Sequence, residues 1–439
     1  MGVAALFVFL AIVVAVLLGY PVALCLGGVA LVVGYVLLGP AFMQFLPSRI
    51  AGVLSNYVLL AVPMFILMGL TLQRSGLADT LLRGVGGLAG RRPGGLGLAV
   101  LAVGALLAAS TGIVGASVVT LGLIAMPILR EAGYHDRVSS GIVVAAGSLG
   151  QIVPPSIVLV LLGSVMQVSV GRLFAAALLP SILIVGGYAV YLLALAYTRP
   201  TQLPALQRAA SNASLQPQVD TAALGRAAAA PDPPLWLGIG GPLLLIVGVL
   251  GSILAGAASP TEASGVGAVL ALGLLGASGR WSWRVVLDTA REALRLSSMV
   301  YLILLGATTF ALVFRGLEGD DLLVGWVLGS GLSATDFVVL LLAVVFVAGF
   351  FIDFIEIIFI VVPVVLPVVA AYDIDPLWFA VLLGINLQTS FLTPPFGFSL
   401  FYFRGVAPLG LRTADLYRGA LPYVLIQLLV LAVMFLVGV

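Results

Sequence analysis

Ser148-Leu-Gly-Gln-Ile-Val-Pro-Pro-Ser156 and Gln388-Thr-Ser-Phe-Leu-Thr-Pro-Pro-Phe396 are the two stretches that decide how this chain is read. Each places a Pro-Pro pair inside a long apolar run, and Pro154 and Pro394 lie 240 positions apart. The same offset carries Pro127 onto Pro367, so each half holds a lone proline 27 positions ahead of its pair. A single proline inside a helix removes a backbone hydrogen bond and costs roughly 3 kcal/mol. Two in succession break the helix and free its carbonyls. Within a membrane such a break is tolerated only where it is packed in protein or lines a cavity. Interrupted apolar segments at matching places in two halves point to the binding site of a transporter.

Working outward, the whole chain supports a membrane setting. It is 62% hydrophobic and 8% charged over 439 residues, which no soluble domain of this length matches. Its 53 glycines and 24 prolines suit close helix packing and broken helices. A net charge of +2 gives no basis for a nucleic-acid partner. All 19 basic residues are arginine. The single cysteine, Cys25, excludes an internal disulfide, and the single histidine, His135, excludes histidine-rich metal sites. Met1–Leu18 is uncharged and runs into another apolar segment, so it reads as a first crossing rather than a cleavable leader.

Two pairs of apolar runs are too short for full crossings and are joined through glycine-containing or polar tips. They predict re-entrant hairpins at 94–129 and 335–371. The Pro-Pro stretches predict broken helices at 138–168 and 377–403. The remaining runs bring the total to about ten transmembrane helices, five per half, and an odd number per half makes the repeats inverted. The predicted fold is thus an all-α polytopic membrane protein with an inverted repeat. The first repeat is 1–197, a cytoplasmic linker covers 198–234, and the second repeat is 235–439. With the 73–93 loop placed in the cytoplasm, sixteen arginines fall on the cytoplasmic side, and only Arg49, Arg172 and Arg315 fall outside. Arg280–Arg295, with Trp281 and Trp283, reads either as an interfacial helix or as an extension of the next crossing.

The candidate chemistry sits at the tips and breaks. The first tip, Ser110-Thr-Gly-Ile-Val-Gly-Ala-Ser117, offers small residues for close backbone approach and uncharged oxygens for a hard cation. Tight helix packing through small residues is the alternative. In the second tip, Gly349-Phe-Phe-Ile-Asp-Phe-Ile-Glu356, a carboxylate at membrane depth is a functional candidate by default. Asp353 suits either a cation ligand or a helix cap. Glu356, one turn on, suits a cation ligand, a proton site or the partner of a buried arginine. Helix N-termini exposed at tips and breaks favour an anion between the cation oxygens. The polar side chains available to a substrate are Ser110, Thr111 and Ser156 in the first half, and Asn386, Gln388 and Ser399 in the second.

These motifs resemble the large membrane subunit, DctM type, of TRAP (tripartite ATP-independent periplasmic) transporters. The resemblance rests on Thr120–Pro127, Gly147–Ser156, Ala258–Gly265, Ile352–Pro363 and Asn386–Gly397, in that order along essentially the whole chain. It implies an elevator-type, Na⁺-coupled importer of organic acids of the ion-transporter superfamily, in the inner membrane. It also implies a small membrane subunit (DctQ type) and a periplasmic substrate-binding protein as partners. Carried over by motif, one cation site involves Gly115, Ser117, Gly147, Gly150 and Val153. The other involves Asp353, Ser390, Thr393 and Phe396, with Glu356 beside it. Two departures stand out: Ala116 where the family often has a serine, and Ser390 where it often has glycine. The Asp-Phe-Ile-Glu tip resembles members associated with 2-oxo acids and related monocarboxylates. An ATP-driven permease subunit or an ion channel is the rival reading. An enzyme is not expected, since the chain has no His-Glu-x-x-His and no Gly-x-Ser-x-Gly elbow.

Overall fold

A computed structural model describes residues 2–89, 92–112, 114–205 and 233–438. Among them every regular element is helical. The first half runs α1 (Gly2–Leu17), α2 (Val22–Leu24), α3 (Ala30–Met43), α4 (Leu46–Leu54), α5 (Ala61–Arg74) and α6 (Leu77–Ala89). It continues with α7 (Gly95–Thr111), α8 (Val114–Glu131), α9 (Asp136–Ser148), α10 (Ile157–Val165) and α11 (Val170–Thr198). The second half runs α12 (Leu235–Ile246), α13 (Ser252–Leu254), α14 (Pro260–Ala277), α15 (Trp283–Gly316) and α16 (Gly319–Gly329). It ends with α17 (Ala334–Ala348), α18 (Phe354–Ala371), α19 (Pro376–Leu392), α20 (Phe398–Val406) and α21 (Thr413–Val437). π-Helical turns at Cys25–Val29 and Val247–Gly251 join the pieces of the second and sixth crossings. Nine described helices are long and apolar enough to cross a membrane, or ten if the pair α16–α17, bent by 120°, is counted as one span.

The 240-residue offset holds element by element: α8 falls on α18, α9 on α19, α6 on α16 and α5 on the second half of α15. Packing shows what the offset means. α5 packs on α14, and its counterpart α15 packs on α3. α10 packs on α18 and α19, while α20 packs on α8 and α9. α11 lies against α19, and α21 against α9. Each half thus completes the other through exchanged contacts, as a two-fold relation between inverted repeats requires.

Both hairpins turn back on themselves. Tyr134 at the exit of the first accepts a hydrogen bond at 3.3 Å from the Gly97 amide at its start. Tyr372 at the exit of the second donates to the Leu332 carbonyl at 2.7 Å. They are not equally supported. α7 buries 13 of its 17 residues against α5, α6, α8, α9, α11 and α12. α17 buries only 5 of 15, against α18 and α19.

The structure chooses between the two readings of 280–295 and adds packing that the sequence did not show. Arg284, Arg291 and Arg295 lie on α15, one unbroken 34-residue helix, so this stretch extends the crossing instead of forming a separate interfacial helix. At the start of the expected linker, Pro200–Gln202 forms a 3₁₀ turn, and Leu203 is fully buried, its carbonyl accepting from the Gly94 amide at 3.0 Å. Residues 206–232 of the expected linker lie outside the described residues, as do Arg91 and position 113 of the first tip. The sequence reading also missed α6 and α16, helices just ahead of each hairpin. The Arg74–Glu292 pair joins the end of α5 to the start of α15, and Arg315–Asp320 (3.2 Å) marks α15's opposite end. In a chain whose buried Cys25 is replaced by alanine, a reporter cysteine within 206–232 should label only from the cytoplasm. One at 318–321 should label only from outside. Labelling of both from one side would refute the inverted arrangement.

Candidate functional site

The first break forms as its proline pair dictates. α9 ends at Ser148, a 3₁₀ turn spans Leu149–Gln151, and α10 restarts at Ile157. The Pro154–Pro155 bond is cis. Ser156 ties the break together by donating to the Gln151 carbonyl at 2.5 Å. From α11, Ser181 donates to the freed Ile152 carbonyl at 3.1 Å. The second break repeats the plan: α19 ends at Leu392, Pro394–Pro395 is cis, and α20 starts at Phe398. There Thr393 donates to the Thr389 carbonyl at 2.7 Å, and Tyr417 of α21 donates to the Pro395 carbonyl at 2.8 Å.

Each hairpin tip is seated against the break of its own half. In the first, α7 stops at Gly112, whose left-handed φ of 62° forms the helix C-cap. Thr111 and Ser117 share a hydrogen bond of 2.8 Å across the tip, and Ser110 donates to the Leu106 carbonyl at 2.6 Å. Gly147 admits α8: a Cβ there would lie 2.8 Å from the Val118 Cα and 3.0 Å from its amide. A Cβ at Gly150 would lie 3.2 Å from the Ala108 carbonyl oxygen. Gly115 faces the Tyr402 ring of α20, so the other half closes this tip. Val153 is half-buried at the break.

The second tip rests on a capping box. Asp353 accepts the Phe354 amide at 2.6 Å, and Glu356 reaches back to accept the Asp353 amide at 3.3 Å. This reciprocal pair starts α18 by satisfying two otherwise orphaned amides. Glu356 therefore has a definite local role, and no arginine partner is present among the described residues. Opposite the tip, a Cβ at Gly349 would fall 2.2 Å from the Ser390 Oγ, so α17 and α19 touch through these two residues. Phe396 is exposed, its ring 5.5 Å from that of Phe351.

Of the polar residues assigned to substrate, Ser110, Thr111 and Ser156 gather at the first tip and break. Ser399 is buried at the start of α20, and its Oγ has no hydrogen-bond partner among the described residues. Asn386 and Gln388 sit further back along α19. Asn386 donates to the Leu342 carbonyl at 2.9 Å and acts as a strut to α17. Gln388 is fully buried. Sequence reasoning missed Gly69, where a Cβ would lie 2.5 Å from the Thr111 carbonyl oxygen. It also missed Gln73, which donates to the Thr120 Oγ1 at 2.5 Å and to the Ala116 carbonyl at 3.3 Å. Gln73 was findable as a lone amide in an apolar run; Gly69 was not, because nothing in a single glycine names its neighbour. Gln151, inside the first break itself, has both amide atoms buried without a hydrogen-bond partner among the described residues.

Comparison with known proteins supports this architecture. The chain resembles the Alcanivorax borkumensis YdaH transporter in fold, with a TM-score of 0.63 and 17% identity over 90% of this chain and 88% of that one. It is 30% identical to the C4-dicarboxylate TRAP transporter large permease protein DctM of Pseudomonas aeruginosa, over 90% of this chain and 88% of that protein. It is 28% identical to the sialic acid TRAP transporter large permease protein SiaM of Vibrio cholerae, covering 94% and 92%. The ectoine/5-hydroxyectoine large permease protein UehC of Ruegeria pomeroyi is 27% identical, covering 96% and 94%. The family model for the tripartite ATP-independent periplasmic transporter, DctM component, matches residues 9–438. With its many apolar crossings and paired hairpins and breaks, the chain belongs to the DctM component family of tripartite ATP-independent periplasmic transporters, as a multi-pass inner-membrane permease.

Proposed function

We propose that this permease is the translocating subunit of a Na⁺-coupled importer of organic acids, fed by a periplasmic binding protein and completed by a small membrane subunit. The observation that carries this reading is the pairing of each helix break with a hairpin tip, which supplies uncharged oxygens in two equivalent places. At the first, a cation would draw on the backbone around Gly115, Gly147, Gly150 and Val153 and on the Ser117 hydroxyl. At the second it would draw on Asp353, Ser390, Thr393 and the Phe396 backbone, with Glu356 holding Asp353 in place through the cap. Hard monovalent cations take such oxygen donors, and no group of three or more His, Cys, Asp or Glu residues suited to a heavier metal exists among the described residues. A carboxylate lying between the sites would be met by the N-termini of α10 and α20 and by hydroxyls of Ser110, Thr111, Ser156 and Ser399. The relatives named for C4-dicarboxylates and sialic acid support an acid as cargo. A relative named DctMQ, in which the matched region is only part of the protein, supports a small-subunit partner.

Movement would be of the elevator kind. Hairpins and broken helices form one body, and α3, α5, α14 and α15 form the frame around it. The test is uptake by the complete reconstituted system. It should follow an imposed Na⁺ gradient without ATP. Thr393→Val nearly keeps volume but removes one oxygen, worth about 1 kcal/mol, so the Na⁺ needed for half-maximal uptake should rise roughly fivefold. Unchanged Na⁺ dependence in a well-expressed variant would move the cation elsewhere. ATP-dependent uptake without Na⁺ would support the rival permease class instead.

A further inference from the structure

Away from the tips and breaks, the cytoplasmic ends of α9, α11 and α21 enclose a cavity of about 40 Å³. Arg137 and Arg199 stand exposed on its lining, joined by Tyr191 and Gln202, and Tyr423 lies buried against it. Neither guanidinium forms an ion pair among the described residues. The Arg137 Nε donates to the Arg418 carbonyl at 3.3 Å. Asp136, its neighbour in sequence, is already held by Arg130 through bonds of 2.7 and 2.8 Å. The Tyr423 side chain is 1% exposed, and its hydroxyl has no hydrogen-bond partner among the described residues. Its ring is wedged edge-on against Tyr188 and Tyr191, with centroids 4.8 and 5.3 Å away, so the hydroxyl is held in place. The walls are equally firm. Gly419 brings α21 onto α9, where a Cβ would lie 2.1 Å from the Arg137 carbonyl oxygen, and the His135 amide donates to the Gln202 carbonyl at 3.2 Å.

Two cations without an ion pair among the described residues, on a cavity with space for a few waters that Tyr191 and the buried Tyr423 also line, fit an oxyanion rather than a hydrophobic ligand. We propose that this cavity binds a phosphate group at the cytoplasmic face, separate from the transport site and pinning α9, α11 and α21 together. The phosphate is either that of an anionic phospholipid headgroup or a free cytosolic one, since both present the same oxygens to Arg137, Arg199 and the Tyr423 hydroxyl.

Thermal unfolding of the purified full-length chain separates the sources. In discs of phosphatidylcholine, inorganic phosphate at millimolar concentration should raise Tm if free phosphate binds. Discs containing phosphatidylglycerol should raise Tm without added phosphate if the headgroup binds. Excluded salts raise Tm non-specifically, so the decisive quantity is the difference from variants and from chloride at equal ionic strength. Arg199→Gln should weaken half-saturation by about tenfold or more, and Tyr423→Phe, which loses one oxygen, by roughly fivefold. If neither probe stabilises the wild-type chain more than it stabilises Arg199→Gln, the proposal is overturned. Equal stabilisation of Tyr423→Phe and wild type would remove the phenol from the site and with it the argument for a built pocket.

Discussion

Asp353→Asn is expected to leave the permease folded and all but abolish Na⁺-driven uptake. The substitution separates two roles that the structure superimposes. Asp353 caps α18, accepting the Phe354 amide at 2.6 Å, while Glu356 answers from the first turn of the helix. Asparagine caps about as well as aspartate, so expression and thermal stability should change by no more than a few tenths of a kcal/mol. Alanine removes the cap and should cost about 1 kcal/mol in addition. If the carboxylate is also a cation ligand, asparagine loses the charge. One charge-assisted contact is worth about 1.5–3 kcal/mol, hence roughly tenfold or more in Na⁺ affinity. Glu356→Gln supplies the comparison, because glutamine also completes a capping box. Weakened Na⁺ coupling in Glu356→Gln would place a shared cation between the two carboxylates. An unchanged Na⁺ affinity with a flattened pH dependence would make Glu356 a proton site. Normal uptake, Na⁺ affinity and pH profile would leave it a cap alone. Wild-type Na⁺ dependence in Asp353→Asn would likewise reduce Asp353 to a cap.

The second large effect is steric. Gly349→Ala should destabilise the permease by about 1–3 kcal/mol and cut uptake at least tenfold, through overpacking of the second tip. The backbone is not the reason: Gly349 has φ −65° and ψ −5°, which alanine adopts freely. Its Cβ would lie 2.2 Å from the Ser390 Oγ and 2.8 Å from the Ser390 Cβ. Combining Gly349→Ala with Ser390→Gly removes both atoms and should restore stability, giving a coupling energy that independent sites would not show. Gly273→Ala is the control, a helical glycine whose added Cβ meets nothing within 4 Å and which should be neutral or slightly stabilising. If Ser390 is also a cation ligand, the double variant will be stable yet need more Na⁺. A Gly349→Ala permease as stable and active as wild type would show that tip and break do not touch as closely as described.

Much of this molecule was legible in one dimension. Proline cannot continue a helix, so Pro154–Pro155 and Pro394–Pro395 announced both breaks, and their common offset announced the repeat. α9 and α19 begin at Asp136 and Pro376, 240 positions apart. Arginine, excluded from the bilayer core, supplied an expected sidedness that the cysteine-labelling experiment checks. Asp353 with Glu356 three residues on is a cap that can be read from spacing alone. What the sequence could not contain was the exchange between halves. Which helix closes the first tip depends on α20 laying Tyr402 over Gly115, a contact 287 positions apart in sequence. Nor do the matched motifs reveal that the hairpins differ, with α7 deep in the protein and α17 largely uncovered. Local chemistry sets where a chain must break, cap or turn, because those constraints act within a few residues. Which of several apolar faces meet is decided by the global packing of helices that are all hydrophobic, and periodicity does not distinguish among them.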